Sequence, residues 1–172
     1  MKQLSLLALA VLLHSFSHGQ SVTELYNKKD FQGLVKLESE AANLSAEELY
    51  MIGYAFFQTE NDNKAIEFYD KAMSKGLNNG SVHFYKGLSL RYLKKYDSAL
   101  TEIEKSLQLE PTNQEFMNEK GMVFYSQLNY DKALEVFELA KKLPNTFPEP
   151  YYWIARIYHE KEDFNKALIA YY

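Results

Sequence analysis

Cysteine is absent from the 172 residues. Disulfides, thiolate zinc sites, cysteine nucleophiles and a lipidated N-terminal cysteine are excluded with it. Glycine is scarce, at seven residues, and the glycines do not gather into a loop that would cradle phosphate. Charge of one sign is also missing: 19 Lys and Arg are interspersed with 23 Asp and Glu, for a net charge of −4. With no basic stripe, a nucleic-acid partner is not expected. Of the four histidines, none lies in an HExxH arrangement or beside a second ligand at helical spacing. No metal site and no cofactor are therefore expected. No serine nucleophile motif is present, and the paired carboxylates Glu47 and Glu48 sit at a helix start, where the dipole explains them. Chemistry by these residues is not expected.

The N-terminus differs from the rest. Lys2 precedes an apolar run from Leu4 to Leu13, followed by "SFSHGQ" with small residues at Ser17 and Gly19. This is the layout of a secretory signal peptide over residues 1–19, cleaved after Gly19. The run is shorter than the roughly 20 residues of a transmembrane helix. No second run of spanning length follows, so no integral membrane segment is expected after cleavage. The expected location is periplasmic or secreted, in a bacterium. His14 and His18 leave with the leader.

Aromatic residues and regularity are what the chain has in plenty. Fourteen Tyr and 11 Phe stand among its residues. Ala65, Ala99, Ala133 and Ala167 are separated by 34 residues each, and so are Gly53, Gly87, Gly121 and Ala155. Tyr96, Tyr130 and Phe164 keep the same interval. A fixed period of this size predicts a solenoid of stacked helix pairs. The expected helices are 21–28, 31–43, 46–59, 63–75, 80–93, 97–109, 114–127, 131–143, 148–161 and 165–172. Ser45 with Glu48, and Thr112 with Glu115, have capping-box spacing. "LNNG", "EPTN" and "PNTFPEP" mark turns between pairs. The recurring small residues imply close backbone approach, with each Gly expected opposite the Ala of its partner helix.

In its columns the chain resembles the tetratricopeptide repeat family. One repeat reads Leu49, Ile52-Gly53, Phe56, Ala65, Tyr69; the next His83, Lys86-Gly87, Leu90, Ala99, Ile103, Pro111. The third reads Met117, Lys120-Gly121, Phe124, Ala133, Phe137, and the fourth Tyr151, Ile154-Ala155, Tyr158, Ala167, Tyr171. The family's initial Trp is never present, and Lys86 and Lys120 replace its Leu. A lysine can bury its stem there and keep its ammonium wet. The resemblance implies an all-α, right-handed superhelical α-solenoid of antiparallel helix pairs. Its expected divisions are a degenerate first pair at 20–45 and repeats at 46–79, 80–113, 114–147 and 148–172, the last incomplete. The unfinished end is expected to expose Ile154, Ile157, Tyr158 and Leu168.

The resemblance also implies that the first helix of each pair lines a concave groove. Carried over by register, the groove residues are Tyr50, Tyr54 and Phe57; Phe84, Arg91 and Tyr92; Asn118, Met122 and Tyr125; Tyr152, Arg156 and His159. Tyr, Phe and Arg of this kind over-populate binding hot spots. Arg91 and Arg156 could hold a peptide carboxylate. The Lys/Asn/Arg clamp of chaperone-tail binders is not present. His83, in an apolar column, is expected as a packed core residue. The implied function is a non-enzymatic scaffold that binds a protein or peptide in an aromatic groove. A second reading makes the chain the sensor or docking part of a longer protein with a catalytic or membrane-spanning C-terminal region. A third is self-association through the open C-terminal end.

Overall fold

The computed structural model describes residues 22–143 and 148–171. The leader at 1–19 lies outside the described residues, as does most of the "PNTFPEP" turn. The chain divides into two compact units between Asn78 and Asn79.

In the first unit, α1 covers residues 22–27, followed by α2 (Phe31–Val35) and a 3₁₀ helix, η1 (Lys36–Asn43). α3 (Ala46–Gln58) and α4 (Asp62–Ser74) then form a packed pair. A single helix was expected over 31–43; the structure winds its second part more tightly. A 3₁₀ helix rises about 2.0 Å per residue against about 1.5 Å, so eight residues reach roughly 4 Å further toward Ser45. Lys75 Nζ fixes that end by donating to the carbonyls of Ala42 (3.1 Å) and Leu44 (2.5 Å). The core of the α3–α4 pair holds Leu49, Ile52, Phe56, Phe68 and Tyr69, all buried, with the Phe56 and Phe68 rings 5.2 Å apart.

The second unit holds three pairs: α5 (Gly80–Tyr92) with α6 (Tyr96–Leu109), α7 (Gln114–Ser126) with α8 (Tyr130–Ala140), and α9 (Glu149–Glu160) with α10 (Phe164–Tyr171). α6 also packs on α7, and α8 on α9. Ala133, Phe137, Ile154 and Ile157 form one buried cluster, with Met122, Tyr125 and Trp153 against it. Ile154 and Ile157 were expected at an open end; they are buried because α8 supplies Ala133 and Phe137. Leu168 is exposed as expected.

Helix starts are set by short polar side chains. The Ser45–Glu48 capping box is present, with Ser45 N donating to Glu48 Oε2 (2.8 Å) and Glu48 N to Ser45 Oγ (3.2 Å). At α7 the cap is Asn113, not Thr112: Phe116 N donates to Asn113 Oδ1 (3.3 Å). Thr112 and Asn113 are both capping types, and the frame is decided by where the helix dihedrals begin. Asn61, Asn79 and Asn129 cap α4, α5 and α8 in the same way. The residue before each second-helix cap is left-handed: Glu60, Lys94, Leu128 and Glu162, at φ of 59° to 60°.

The glycine column corrects a second expectation. A Cβ on Gly53 would lie 2.8 Å from the Tyr69 ring, on Gly87 2.6 Å from Ile103, and on Gly121 2.5 Å from the Phe137 ring. The glycines therefore face the large residue four positions after the alanine. The space is a slot for that side chain, and Ala99 meets the Gly87 position through its carbonyl, at 3.4 Å.

Candidate functional site

In the first, third and fourth repeats the groove columns fall at i, i+4 and i+7, and in the second at i, i+7 and i+8, which puts them on one helix face. α7 carries Asn118, Met122 and Tyr125 there; α9 carries Tyr152, Arg156 and His159. The structure brings these six together on neighbouring helices of the second unit. Arg156 Nε donates to Tyr125 Oη (3.1 Å), and Arg156 Nη1 donates to Tyr152 Oη (3.2 Å). Tyr125 Oη donates in turn to Glu160 Oε1 (3.5 Å), which lies 3.8 Å from Arg156 Nε. The hydrogen bonds with Tyr152 and Tyr125 push the guanidinium further above its ordinary range, so it is a permanent cation.

Trp153, the only tryptophan, was not among the expected site residues. Its ring stands 5.0 Å from Tyr125 and 5.1 Å from Tyr152, and Arg156 Cζ lies 5.9 Å above it. The signal for it was its adjacency to Tyr152. Its repeat column also holds Tyr85 and Glu119, which the groove columns leave out.

Two cavities open on this face. One, of about 310 Å³, is lined by Tyr152, Arg156, His159 and Glu160. The other, of about 340 Å³, is lined by Gln114, Glu115, Asn118, Glu149 and Pro150. Met122 lies between Asn118 and Tyr125 along α7 and packs into the core beneath. A fixed cation, phenolic hydroxyls and aromatic faces in one groove suit recognition of a carboxylate beside an apolar side chain.

The other groove positions lie elsewhere. Phe84 is 3% exposed and stacks on Phe116 at 4.7 Å, so it belongs to the core of the second unit. Arg91 is half-buried and is ion-paired with Glu119 through its Nε, with Nη2 at 3.5 Å from the second carboxylate oxygen. Burial pushes the Glu119 carboxyl upward, and Arg91 opposes this. Tyr92 is exposed, with the Arg91 guanidinium 4.6 Å above its ring. In the first unit Tyr54 stands 5.7 Å from Tyr26, 5.8 Å from Phe31 and 6.3 Å from Phe57, while Tyr50 lies 5.9 Å from Tyr69.

His83 is buried, as an apolar column implies, but it is also bonded: its Nδ1–H donates to Glu102 Oε2 at 2.7 Å. Lys86 (3.3 Å) and Lys105 (3.1 Å) donate to Glu102 Oε1. Burial opposes ionisation of Glu102, yet His83, Lys86 and Lys105 together hold its carboxyl below the ordinary value of 4.5. The Lys86 and Lys120 stems are largely covered, with ammonium groups paired to Glu102 and Glu104. Among the described residues no group of three or more histidines and carboxylates is placed to hold a metal. No helix there is long and apolar enough to cross a membrane.

Repeating helix pairs, the glycine slot and the register of groove columns define a helical-repeat protein. Family models described as the tetratricopeptide repeat match residues 46–74, 80–113 and 148–172, and the chain belongs to this family. A TPR repeat-containing protein of Methanocaldococcus jannaschii is 39% identical over 64 residues, 37% of this chain and 11% of that protein. The Hsp70-Hsp90 organising protein of Plasmodium falciparum is 31% identical over 80 residues, 46% of this chain and 14% of that protein. The chain thus spans only about a seventh or less of the curated relatives it matches. Among solved structures, MamA from Desulfovibrio magneticus superposes with a TM-score of 0.81 at 18% identity, over 91% of this chain and 90% of that one. YrrB, described as a TPR protein with an unusual peptide-binding site, gives 0.68 at 22% identity, over 87% and 78%. At such identities the likeness establishes the fold alone, an all-helical solenoid of helix pairs.

Proposed function

We propose that this protein is a non-enzymatic scaffold that captures a peptide segment of another protein on the α7–α9 face. The observation that carries the reading is Arg156, a cation held in place by Tyr125 and Tyr152 and open to a cavity of about 310 Å³. Prior immobilisation of a long side chain lowers the entropy lost when a ligand binds. The carboxylate of the bound segment meets Arg156, and its apolar side chains lie against Trp153, Tyr152 and Tyr125. The peptide-binding description of YrrB and the organising role in the name of the Plasmodium relative favour an interaction scaffold over catalysis.

The test is selection from a random-sequence peptide library on the full chain, followed by affinity measurements on variants. Arg156→Gln is expected to weaken selected peptides at least tenfold with unchanged melting. Selected peptides that bind Arg156→Gln as well as the parent protein would overturn the assignment.

We further propose that the protein is exported. Support comes from Lys2, the Leu4–Leu13 run and the small residues Ser17 and Gly19. N-terminal sequencing of protein recovered from a bacterial periplasm should begin at Gln20. Recovery only from the cytoplasm, with Met1 retained, would contradict export.

A further inference from the structure

We propose that Tyr92 is a second anchor of the peptide site, held in position by Arg91 and Glu119, and that its ring receives an aromatic side chain of the bound segment. This rests on the peptide-binding reading and adds to it the chemistry of one ligand residue. The repeats supply an internal comparison. Tyr92 stands in a column that holds Gln58, Ser126 and Glu160, and it is 54% exposed. A lone exposed ring is ordinary, but this one is fixed by its neighbours. The Arg91 guanidinium lies 4.6 Å above the ring centre. Arg91 is in turn ion-paired with Glu119 of α7, its Nη2 3.5 Å from the second carboxylate oxygen. Glu119 is buried, in a column that holds Met51, Tyr85 and Trp153 in the other repeats.

Stability does not account for this chain of contacts. A buried ion pair exchanged for apolar side chains of similar volume is often neutral or stabilising, and three repeats pack without a carboxylate in the Glu119 column. Burial opposes the charge of Arg91, yet Glu119 and Tyr92 hold its guanidinium above the ordinary range. What the pair does is fix a cation over one face of the Tyr92 ring. A ring immobilised before binding loses less freedom when a ligand stacks on it. The cation also selects the ligand. It is attracted by the π-electrons of the face it covers, so a Lys or Arg brought to the opposite face would meet a like charge across the ring. An electron-rich ring, Tyr or Trp, in offset stacking suits that face instead. Tyr92 ends α5, which packs on α7, the helix that carries Tyr125. Packed helices lie about 8–10 Å apart, which an extended segment spans in about three residues. The aromatic residue of the ligand therefore falls about three positions from the apolar side chain that lies against Tyr125 and Trp153.

The experiment selects soluble random dodecapeptides on the full chain and measures their affinities for variants. Bound peptides should be enriched in Tyr or Trp and depleted of Lys and Arg at one position. Tyr92→Ala should weaken them about tenfold or more and erase that enrichment on reselection, while Tyr92→Phe should restore both. Arg91→Gln with Glu119→Gln removes the charges as a pair. It should raise the affinity of Lys-substituted peptides relative to the aromatic parents, and an unchanged ratio would overturn the role of the pair. Melting curves establish that each variant is folded. Peptides that depend on Arg156 but bind Tyr92→Ala as well as the parent protein would overturn this inference and leave the peptide-binding reading standing. Peptides that depend on Tyr92 but not on Arg156 would uphold the anchor and overturn the Arg156 assignment. No selected peptides, or binding indifferent to both residues, would overturn both.

Discussion

Lys95 shows how much a single side chain contributes to this design. It occupies the capping column shared with Asn61, Asn129 and Asp163, and α6 is the helix of that set without a side-chain cap. Lys95→Asn should restore the bond to the N3 amide and add about 1 kcal/mol of stability. A chemical denaturation curve checks this, and a midpoint that fails to rise would mean that the cap frame differs. Glu102 belongs to the same scale. Its folded carboxyl releases its proton at lower pH than an unfolded glutamate does, because His83, Lys86 and Lys105 favour the charged form over the cost of burial. The stability it contributes is complete above 4.5 and is lost as pH falls below that value. Melting temperatures of the parent and Glu102→Gln should thus differ near neutrality and converge in acid. A gap that persists unchanged at low pH would contradict the ionic account.

At the scale of elements, the glycine slot decides how the helices of a pair meet. Phe137 fills the place of a Gly121 side chain, as Ile103 does for Gly87 and Tyr69 for Gly53. Gly121→Leu should cost about 1–3 kcal/mol or more by overpacking, read from thermal or denaturant melts. Unchanged melting would show that α7 and α8 can separate without penalty. The helices themselves were legible from the 34-residue period, since every expected segment after the first turn of η1 is found to within a few residues. What the slot holds was less legible. Gly and Ala recur in register, so they looked like partners, but helical geometry places the residue one turn beyond Ala opposite the glycine.

At the scale of the whole molecule, register names the columns of the binding face but not their burial. Tyr50, Phe84, Asn118 and Tyr152 share one column, yet Phe84 is core and Tyr152 is 43% exposed. The difference comes from the neighbour: Phe116 stacks on Phe84. Arg91 and Arg156 looked alike in sequence, each a cation on a predicted groove. Arg91 is matched by Glu119, which no column could announce, because that column also holds Tyr85 and Trp153. Tyr125 and Arg156 were both expected on the face. Their hydrogen bond follows from repeat spacing, since position i+31 is one helical turn short of the next equivalent residue.

The central claim is that the α7–α9 face holds the ligand. The most direct measurement is an NMR titration of the uniformly ¹⁵N-labelled full chain with a library-selected peptide. The account predicts that the largest amide shifts fall on Asn118, Met122, Tyr125, Tyr152, Arg156 and His159, and on the Trp153 indole. The same titration of Arg156→Gln should leave them nearly unmoved. Large shifts confined to other helices, with this face silent, would contradict the account.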